Sequence, residues 1–195
     1  MVGGYTAGVD EAGRGAIAGP VVAAAVILPH THNIEGLADS KKLSPAARFR
    51  LADDIVSQCV CWAYSCGEVE EIDQINILRS TLASMKRAIE ALSVQPERVV
   101  VDGNQVPQVS IEARAIIKGD ESVPVISAAS ILAKTTRDRI MFEWANTYPD
   151  YGFQSHVGYG TRQHIAALHR FGVLPIHRRT FAPVKRVLEE IHRLI

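Results

Sequence analysis

The segment Gly8-Val9-Asp10-Glu11-Ala12-Gly13-Arg14-Gly15 sets two adjacent carboxylates at the end of a short apolar run, then an arginine between glycines. Acids presented at a strand edge suit a hard divalent cation such as Mg²⁺, which takes oxygen ligands and keeps several waters. Gly13 and Gly15 lack a Cβ and let backbone come close to a ligand. Arg14 can fork onto a phosphate. Asp102 and Asp120 repeat the pattern: Arg98-Val99-Val100-Val101-Asp102 runs into Gly103-Asn104, and Ala113 to Lys118 runs into Gly119-Asp120. Four crowded carboxylates repel one another and are costly to desolvate, a cost that a pair of divalent cations offsets. Two such metals can activate water for in-line attack at a phosphodiester and stabilise the leaving oxygen. Each acid taken alone fits a turn equally well, because Asp-Gly is favoured there. Successive strand side chains also point to opposite faces, so Asp10 and Glu11 serve one site only if the strand ends or twists between them.

The elements that must position these acids are readable from hydrophobic patterning. Thr6 to Asp10 reads as a strand, and Gly19 to Leu28, small and β-branched between Pro20 and Pro29, as a buried one. Ser44-Pro45 pairs a capping hydroxyl with a proline suited to the first helical position, predicting a helix to about Ser57. Cys59 to Gly67 alternates as a strand, and Ile75 to Leu92 carries an apolar stripe with Ile77, Leu78, Leu82, Met85 and Ile89 on one face. Arg98 to Asp102 and Ala113 to Lys118 complete the strands. Helices follow over Val125 to Ala145, Gln163 to Phe171 and Val184 to Leu194, with a glycine-rich loop at His156 to Gly160. The expected fold is α/β: a mixed central sheet flanked by helices, in one domain spanning residues 1–195, with about 150–195 as a helical, substrate-binding extension. Right-handed crossovers would set the strands ending at Asp10, Asp102 and Asp120 parallel, with their acids at one edge.

Charge narrows the partners. The net formal charge is zero, which argues against binding a polyanion by bulk charge. Its distribution is uneven, with 14 Lys/Arg against 19 Asp/Glu in residues 1–150, and 7 against 2 in residues 151–195. An acidic site beside a basic flank suits a nucleic acid held by one part and cut by another. Lys41, Lys42, Lys134, Arg178 and Arg179 are candidates for phosphate contacts, and Ser127 and Ser130 with the helix start near Val125 for an anion site. Cys59, Cys61 and Cys66 match neither a disulfide framework nor a zinc site and read as partly buried free thiols. His156, His164, His169 and His177 read as solvated or packing residues. No signal peptide is visible, and the longest apolar run, Val21 to Leu28, is too short to span a bilayer. A soluble, cytoplasmic protein with no membrane partner is expected. Neither G-x-G-x-x-G nor a Walker pattern is met.

The chain resembles the ribonuclease HII (type 2 ribonuclease H) family over nearly its whole length. The resemblance rests on Asp10-Glu11-Ala12-Gly13-Arg14-Gly15, Asp39-Ser40-Lys41-Lys42-Leu43, Ile75-Asn76-Ile77-Leu78, Val101-Asp102-Gly103-Asn104, Lys118-Gly119-Asp120, Ser127-Ala128-Ala129-Ser130-Ile131-Leu132-Ala133-Lys134, Gly158-Tyr159-Gly160-Thr161 and His177-Arg178-Arg179-Thr180-Phe181. It implies a ribonuclease H-like fold and a monomer that cuts RNA in RNA:DNA hybrids. It also implies incision beside single ribonucleotides embedded in duplex DNA, as ribonucleotide excision requires. Mg²⁺ or Mn²⁺ would be needed, and the products would carry 3′-hydroxyl and 5′-phosphate ends. The family's catalytic and metal-holding carboxylates fall on Asp10, Glu11, Asp102 and Asp120. Its reader of the ribose 2′-hydroxyl falls on Gly13, Arg14 and Gly15, and its junction-sensing tyrosine on Tyr159. The 2′-hydroxyl, donor and acceptor at once, is what separates RNA from DNA at one position. Two departures stand out: Ala16 where many members have proline, and Val157 where many have lysine. A clamp-docking tail is not expected. Another metal nuclease on the same scaffold, or a duplex-binding module without catalysis, are the competing readings. An all-DNA duplex and the complete acid set, respectively, speak to them.

Overall fold

Small and β-branched residues favour a sheet that can be covered on both faces, and that is what the computed structural model holds; it describes residues 4–37 and 43–193. Five strands, β1 (Thr6–Ala12), β2 (Val21–Ile27), β3 (Cys61–Gly67), β4 (Arg98–Asp102) and β5 (Glu112–Ile116), lie in the order β3-β2-β1-β4-β5. β1 pairs antiparallel with β2, and β2 with β3, whereas β1, β4 and β5 run parallel. Every residue of β2 is buried. Ala24 and Val26 pack beneath the helices of one face, and Ala23, Ala25 and Ile27 beneath the other.

The first face carries α1 (Pro45–Gln58) and the long α5 (Pro124–Thr147); the second carries α3 (Ile77–Glu90). Ser44 caps α1 by accepting the Ala47 amide, with Pro45 at the first helical position as predicted. α5 presses directly onto β1. A Cβ on Gly8 would collide with the Val125 carbonyl, so only glycine admits the helix start there. That contact brings Ser130 within hydrogen-bonding reach of Asp10 near the end of β1.

The stripe predicted over Ile75 to Leu92 is α3, two residues shorter at each end, and a further short helix precedes it. α2 (Val69–Ile75) ends at Asn76, whose φ of +71° reverses the chain, and the Asn76 side chain then caps α3 by accepting the Arg79 amide. Asparagine caps well, which explains the second role; with ψ at 163° the backbone lies outside the left-handed helical well and is strained. β5 stops at Ile116, short of the predicted Lys118. Lys118 is left-handed, and Asp120 sits in the short helix α4 (Gly119–Ser122) rather than at a strand end.

Residues beyond α5 form a second, smaller core with α6 (Phe153–His156), α7 (Arg162–Phe171) and α8 (Ala182–Arg193). Phe153, Tyr151, Ala167 and Ile176 pack on Met141 and Ala145 of α5, and Leu168, Val184 and Val187 pack on Ile17. This extension clasps the loop after β1 through two isolated bridges, Ala16 with Tyr159 and Ala18 with His177. The three cysteines are free and half-buried, as expected. Among the described residues no helix is long and apolar enough to cross a membrane.

Candidate active site

The acids lie where two strands part. β1 pairs with β4 only from Thr6 to Val9, while its pairing with β2 continues to Ala12. Asp10 and Asp102 each stand one residue past the last shared rung, Val9 with Val101. The Glu11 amide, without a β4 partner, donates to Asp10 Oδ1 at 2.7 Å. Asp102 Oδ1 accepts the Asp120 amide at 3.3 Å, and Ser127 Oγ donates to the Asp120 carbonyl at 2.5 Å. Asp10 and Asp120 are buried; Asp102 and Glu11 are half-buried.

Burial holds the Asp10 carboxyl well above the usual carboxylate range. The neighbouring Glu11 charge adds to the rise, and Asp102 contributes further. Hydrogen bonds from Ser130 and the Glu11 amide pull the other way. The site is thus charge-crowded, and its donors are all oxygen, the set a hard divalent cation takes. The side chains are not drawn into a cage. Among the described residues no three His, Cys, Asp or Glu side chains form a group able to hold a metal ion. The alternation foreseen for β1 accounts for part of this. Asp10 shares the α5 face with Ala12, and Glu11 faces the other way, where Arg14 Nη1 holds its Oε1 at 3.0 Å.

Glu11 and Arg14 form a ridge between two clefts. The larger, about 420 Å³, is lined by Gly13, Gly15, Arg48, Ser130, Lys134 and Tyr159. The smaller holds Asp102, Gly103 and Asn104 against Leu78 and Thr81 of α3. Tyr159 faces the larger cleft with Lys134 Nζ 5.7 Å and Arg137 Cζ 5.4 Å from its ring centre.

Two buried arginines hold the loop that follows β1. Arg137 donates from Nε to the Pro20 carbonyl, from Nη1 to Val157 and from Nη2 to Ala18, at 2.8–3.0 Å. Arg178 donates from Nε to Gly19 and from Nη1 to Arg14, at 2.9 and 3.0 Å. Both are fully buried. Burial and then the nearby Arg137 cation push Arg178 down to about 9. Backbone carbonyls replace lost water at the other nitrogens of the two guanidinium groups, Arg178 Nη2 being buried without a hydrogen-bond partner among the described residues, and the two arginines fix the Gly13–Pro20 loop in return.

Several expected phosphate contacts are therefore corrected. Arg178 has no exposed surface and acts as an internal strut. Ser127 is 1% exposed and spends its hydroxyl on the Asp120 and Val123 carbonyls, so it orders Asp120 instead of binding an anion. Lys134 reaches the cleft but is paired with Asp138 Oδ1 at 2.6 Å. Arg179 keeps an exposed side chain, while its amide and that of Thr180 are held by Asp73. Lys41 and Lys42 lie outside the described residues.

The family model described as Ribonuclease HII matches residues 7–184. The chain belongs to the ribonuclease HII family. Ribonuclease HII of Coxiella burnetii is 56% identical over 181 residues, which cover 93% of this chain and 90% of that protein. The Neisseria meningitidis serogroup A enzyme is 53% identical over 186 residues, covering 95% and 96%. The ribonuclease H2 structure from Pyrococcus horikoshii OT3 superposes with a TM-score of 0.81 at 27% identity, over 97% of this chain and 99% of that one. Ribonuclease HII of Archaeoglobus fulgidus, solved in a complex with PCNA, gives 0.76 at 26%, over 91% and 95%. The sheet and its helices are accordingly a ribonuclease H-like fold, and the chain is a ribonuclease H enzyme.

Within this ribonuclease HII chain the sequence left four site residues unassigned: Arg48, the Asp10 contact of Ser130, Arg137 and Asp73. An arginine's burial has no local sequence signal. Asp73 meets residues 179 and 180 only through the tertiary fold.

Proposed function

We propose that the chain is an endoribonuclease that hydrolyses the RNA strand of RNA:DNA hybrids and incises at single ribonucleotides in duplex DNA. Its products would carry 3′-hydroxyl and 5′-phosphate ends. The observation that carries this reading is the juxtaposition of Asp10, Glu11 and Asp102 at the parting of β1 and β4 with a cleft lined by Gly13, Gly15 and Tyr159. Family membership gives that juxtaposition its chemistry.

Asp10, Glu11, Asp102 and Asp120 would hold Mg²⁺ or Mn²⁺, and the all-oxygen donors and the crowded charge on Asp10 fit such a cation. When bound, divalent metal would activate water and stabilise the leaving oxygen in a two-metal displacement. The related structure of Bst-RNase HIII was solved with Mn²⁺. The rest of the work falls to the chain itself. Gly13 is held against Arg137, and Gly15 is exposed with only the Tyr159 ring near its Cα substituent, so backbone at Gly15 can approach a ribose 2′-hydroxyl. Arg14, half exposed, and Lys134, on exchanging Asp138 for a phosphate, face the same cleft. Tyr159 would lie flat on the deoxyribose next to the ribonucleotide, where an added hydroxyl loses the contact. Residues beyond α5 would support the duplex with Arg179. A monomer in the cytoplasm completes the reading.

The test is cleavage in Mg²⁺ of a DNA duplex holding one ribonucleotide, with the cut mapped to the nucleotide and an all-DNA duplex alongside. Incision only at the ribonucleotide is expected. Equal cutting of the all-DNA duplex would overturn the reading in favour of a general nuclease.

A further inference from the structure

Three buried histidines stand behind the Tyr159 loop and make no contact with the cleft. His164 and His177 have no exposed surface, and His156 is 6% exposed. His156 stacks on His164 with ring centres 4.4 Å apart, and His164 Nε2 lies 3.0 Å from His177 Nε2. Backbone groups of known polarity fix every proton in this cluster. The Leu174 amide donates to His177 Nδ1 at 2.9 Å, so that nitrogen is bare and His177 carries its proton on Nε2. Among the described residues the partner facing that proton is His164 Nε2, which must then accept. His164 is left protonated on Nδ1 and donates to the Tyr159 carbonyl at 3.0 Å. By the same logic the Gly158 amide on His156 Nδ1 makes His156 a donor from Nε2 to the Tyr151 carbonyl. All three rings are neutral and each has one permitted tautomer.

The backbone they hold is strained. Val157 is β-branched yet has φ of +41°, and Gly158 follows at +85°. Such a turn persists only when its surroundings over-determine it. Arg137 on the Val157 carbonyl and the Ile17 and Ala18 amides on the Gly158 carbonyl supply part of that constraint. The histidines supply the part that reaches Tyr159.

We infer that His164 is a positioning residue for Tyr159, acting through a directed relay that runs from the Leu174 amide through His177 and His164 to the Tyr159 carbonyl. The inference rests on the reading of Tyr159 as the residue that senses the ribonucleotide–deoxyribonucleotide junction. Its ring direction follows from its carbonyl, because the peptide on either side is pinned: Tyr159 N–H donates to His156 and Thr161 N–H to Tyr159. A loosened relay would leave the carboxylates untouched and blur only the junction contact.

Two measurements test it. Long-range ¹H–¹⁵N imidazole correlations on the intact protein are expected to show His164 protonated on Nδ1 and both His156 and His177 on Nε2. A His164 protonated on Nε2 overturns the relay whatever the substrate. The second compares His164→Asn, whose amide nitrogen stands where Nδ1 was, with His164→Gln, whose amide reaches towards His177 and leaves the Tyr159 carbonyl with the Thr161 amide as its remaining donor. His164→Gln is expected to shift the Tyr159 carbonyl ¹³C resonance. It should also lower incision at a single ribonucleotide about tenfold relative to a continuous hybrid, since small misplacements of a positioning group are costly in rate. His164→Asn should restore both. An equal loss on both substrates, or an unchanged ratio with an unshifted carbonyl, overturns the inference. If the wild-type protein fails to prefer the ribonucleotide, the functional reading fails alone, and the tautomers and the carbonyl shift still judge the relay.

Discussion

Gly13 and Gly15 flank the same arginine, yet the structure assigns them opposite tolerances for a single methyl group. Gly13 has φ of +92°, and a Cβ there would collide with Nε and Cδ of Arg137. Gly15 has no positive φ, and its nearest neighbour would be a Tyr159 ring carbon at 3.9 Å. For Gly13→Ala the left-handed backbone costs about 1–2 kcal/mol. Displacing Arg137 loosens at least one of its three bonds to buried carbonyls, and each bond to a charged group contributes about 1.5–3 kcal/mol. The sum is about 2.5–5 kcal/mol, against about 0.5 kcal/mol or less for Gly15→Ala, a substitution clear of such features. Urea denaturation gives both values directly. The Arg137 component is isolated by a double-mutant cycle, because in an Arg137→Met background Gly13→Ala retains only its backbone cost. A coupling of about 2 kcal/mol is expected, well above the few tenths found for independent sites. Additive effects, or a Gly15→Ala as damaging as Gly13→Ala, would refute the view that Arg137 is the wall behind the loop. Cleavage should separate the pair in the other direction: Gly15→Ala folds normally but sets a methyl between backbone and ribose.

Three further outcomes are expected. Asp10→Asn should abolish cleavage without lowering the melting temperature of the metal-free protein, because it removes a charge that burial and Glu11 already disfavour; a variant cutting at the wild-type rate would falsify the assignment. Arg179→Ala should reduce the slope of log affinity against log salt by about 1 and leave stability unchanged, whereas Arg178→Met should leave the slope alone and destabilise by about 1–3 kcal/mol through the orphaned Gly19 carbonyl. Stability should fall on acidification. Burial pushes His164 down to about 4 and His177, with the His164 charge beside it, down to about 3. The unfolded chain binds those protons near pH 6.5, so each histidine removes about 1.4 kcal/mol per pH unit as pH drops from 6.5 towards those folded values. Denaturation curves that coincide at pH 7 and pH 5 would count against neutral buried rings.

What could be read in the sequence was whatever local pattern dictates. Asp10 and Asp102 are visible because apolar strand residues stop at them, and the parallel setting of their strands follows from crossover rules. Asp120 was found as an acid but misplaced, since Ala113 to Lys118 looks like one strand and nothing local marks Lys118 as left-handed. α2 escaped notice because only Val69 and Ile72 are buried in a segment rich in acids. Arg178 looked like a surface cation beside Arg179; its burial depends on Gly19 and Arg14, more than 150 residues earlier in the chain. The histidines illustrate the same limit. Packing was expected, but the proton order among residues 156, 164 and 177 exists only once α6, α7 and the turn before α8 have met.

Hydrogen-bonded ribbons usually gain by zipping shut. Here the parallel ladder between β1 and β4 ends at Val9 and Val101, one rung short of the two carboxylates. Any change that let Asp10 and Asp102 join as another rung would strengthen the scaffold while narrowing access to the two carboxylates. Stability and access therefore compete at a single backbone position, and selection for a sturdier variant is expected to find improvements everywhere else first.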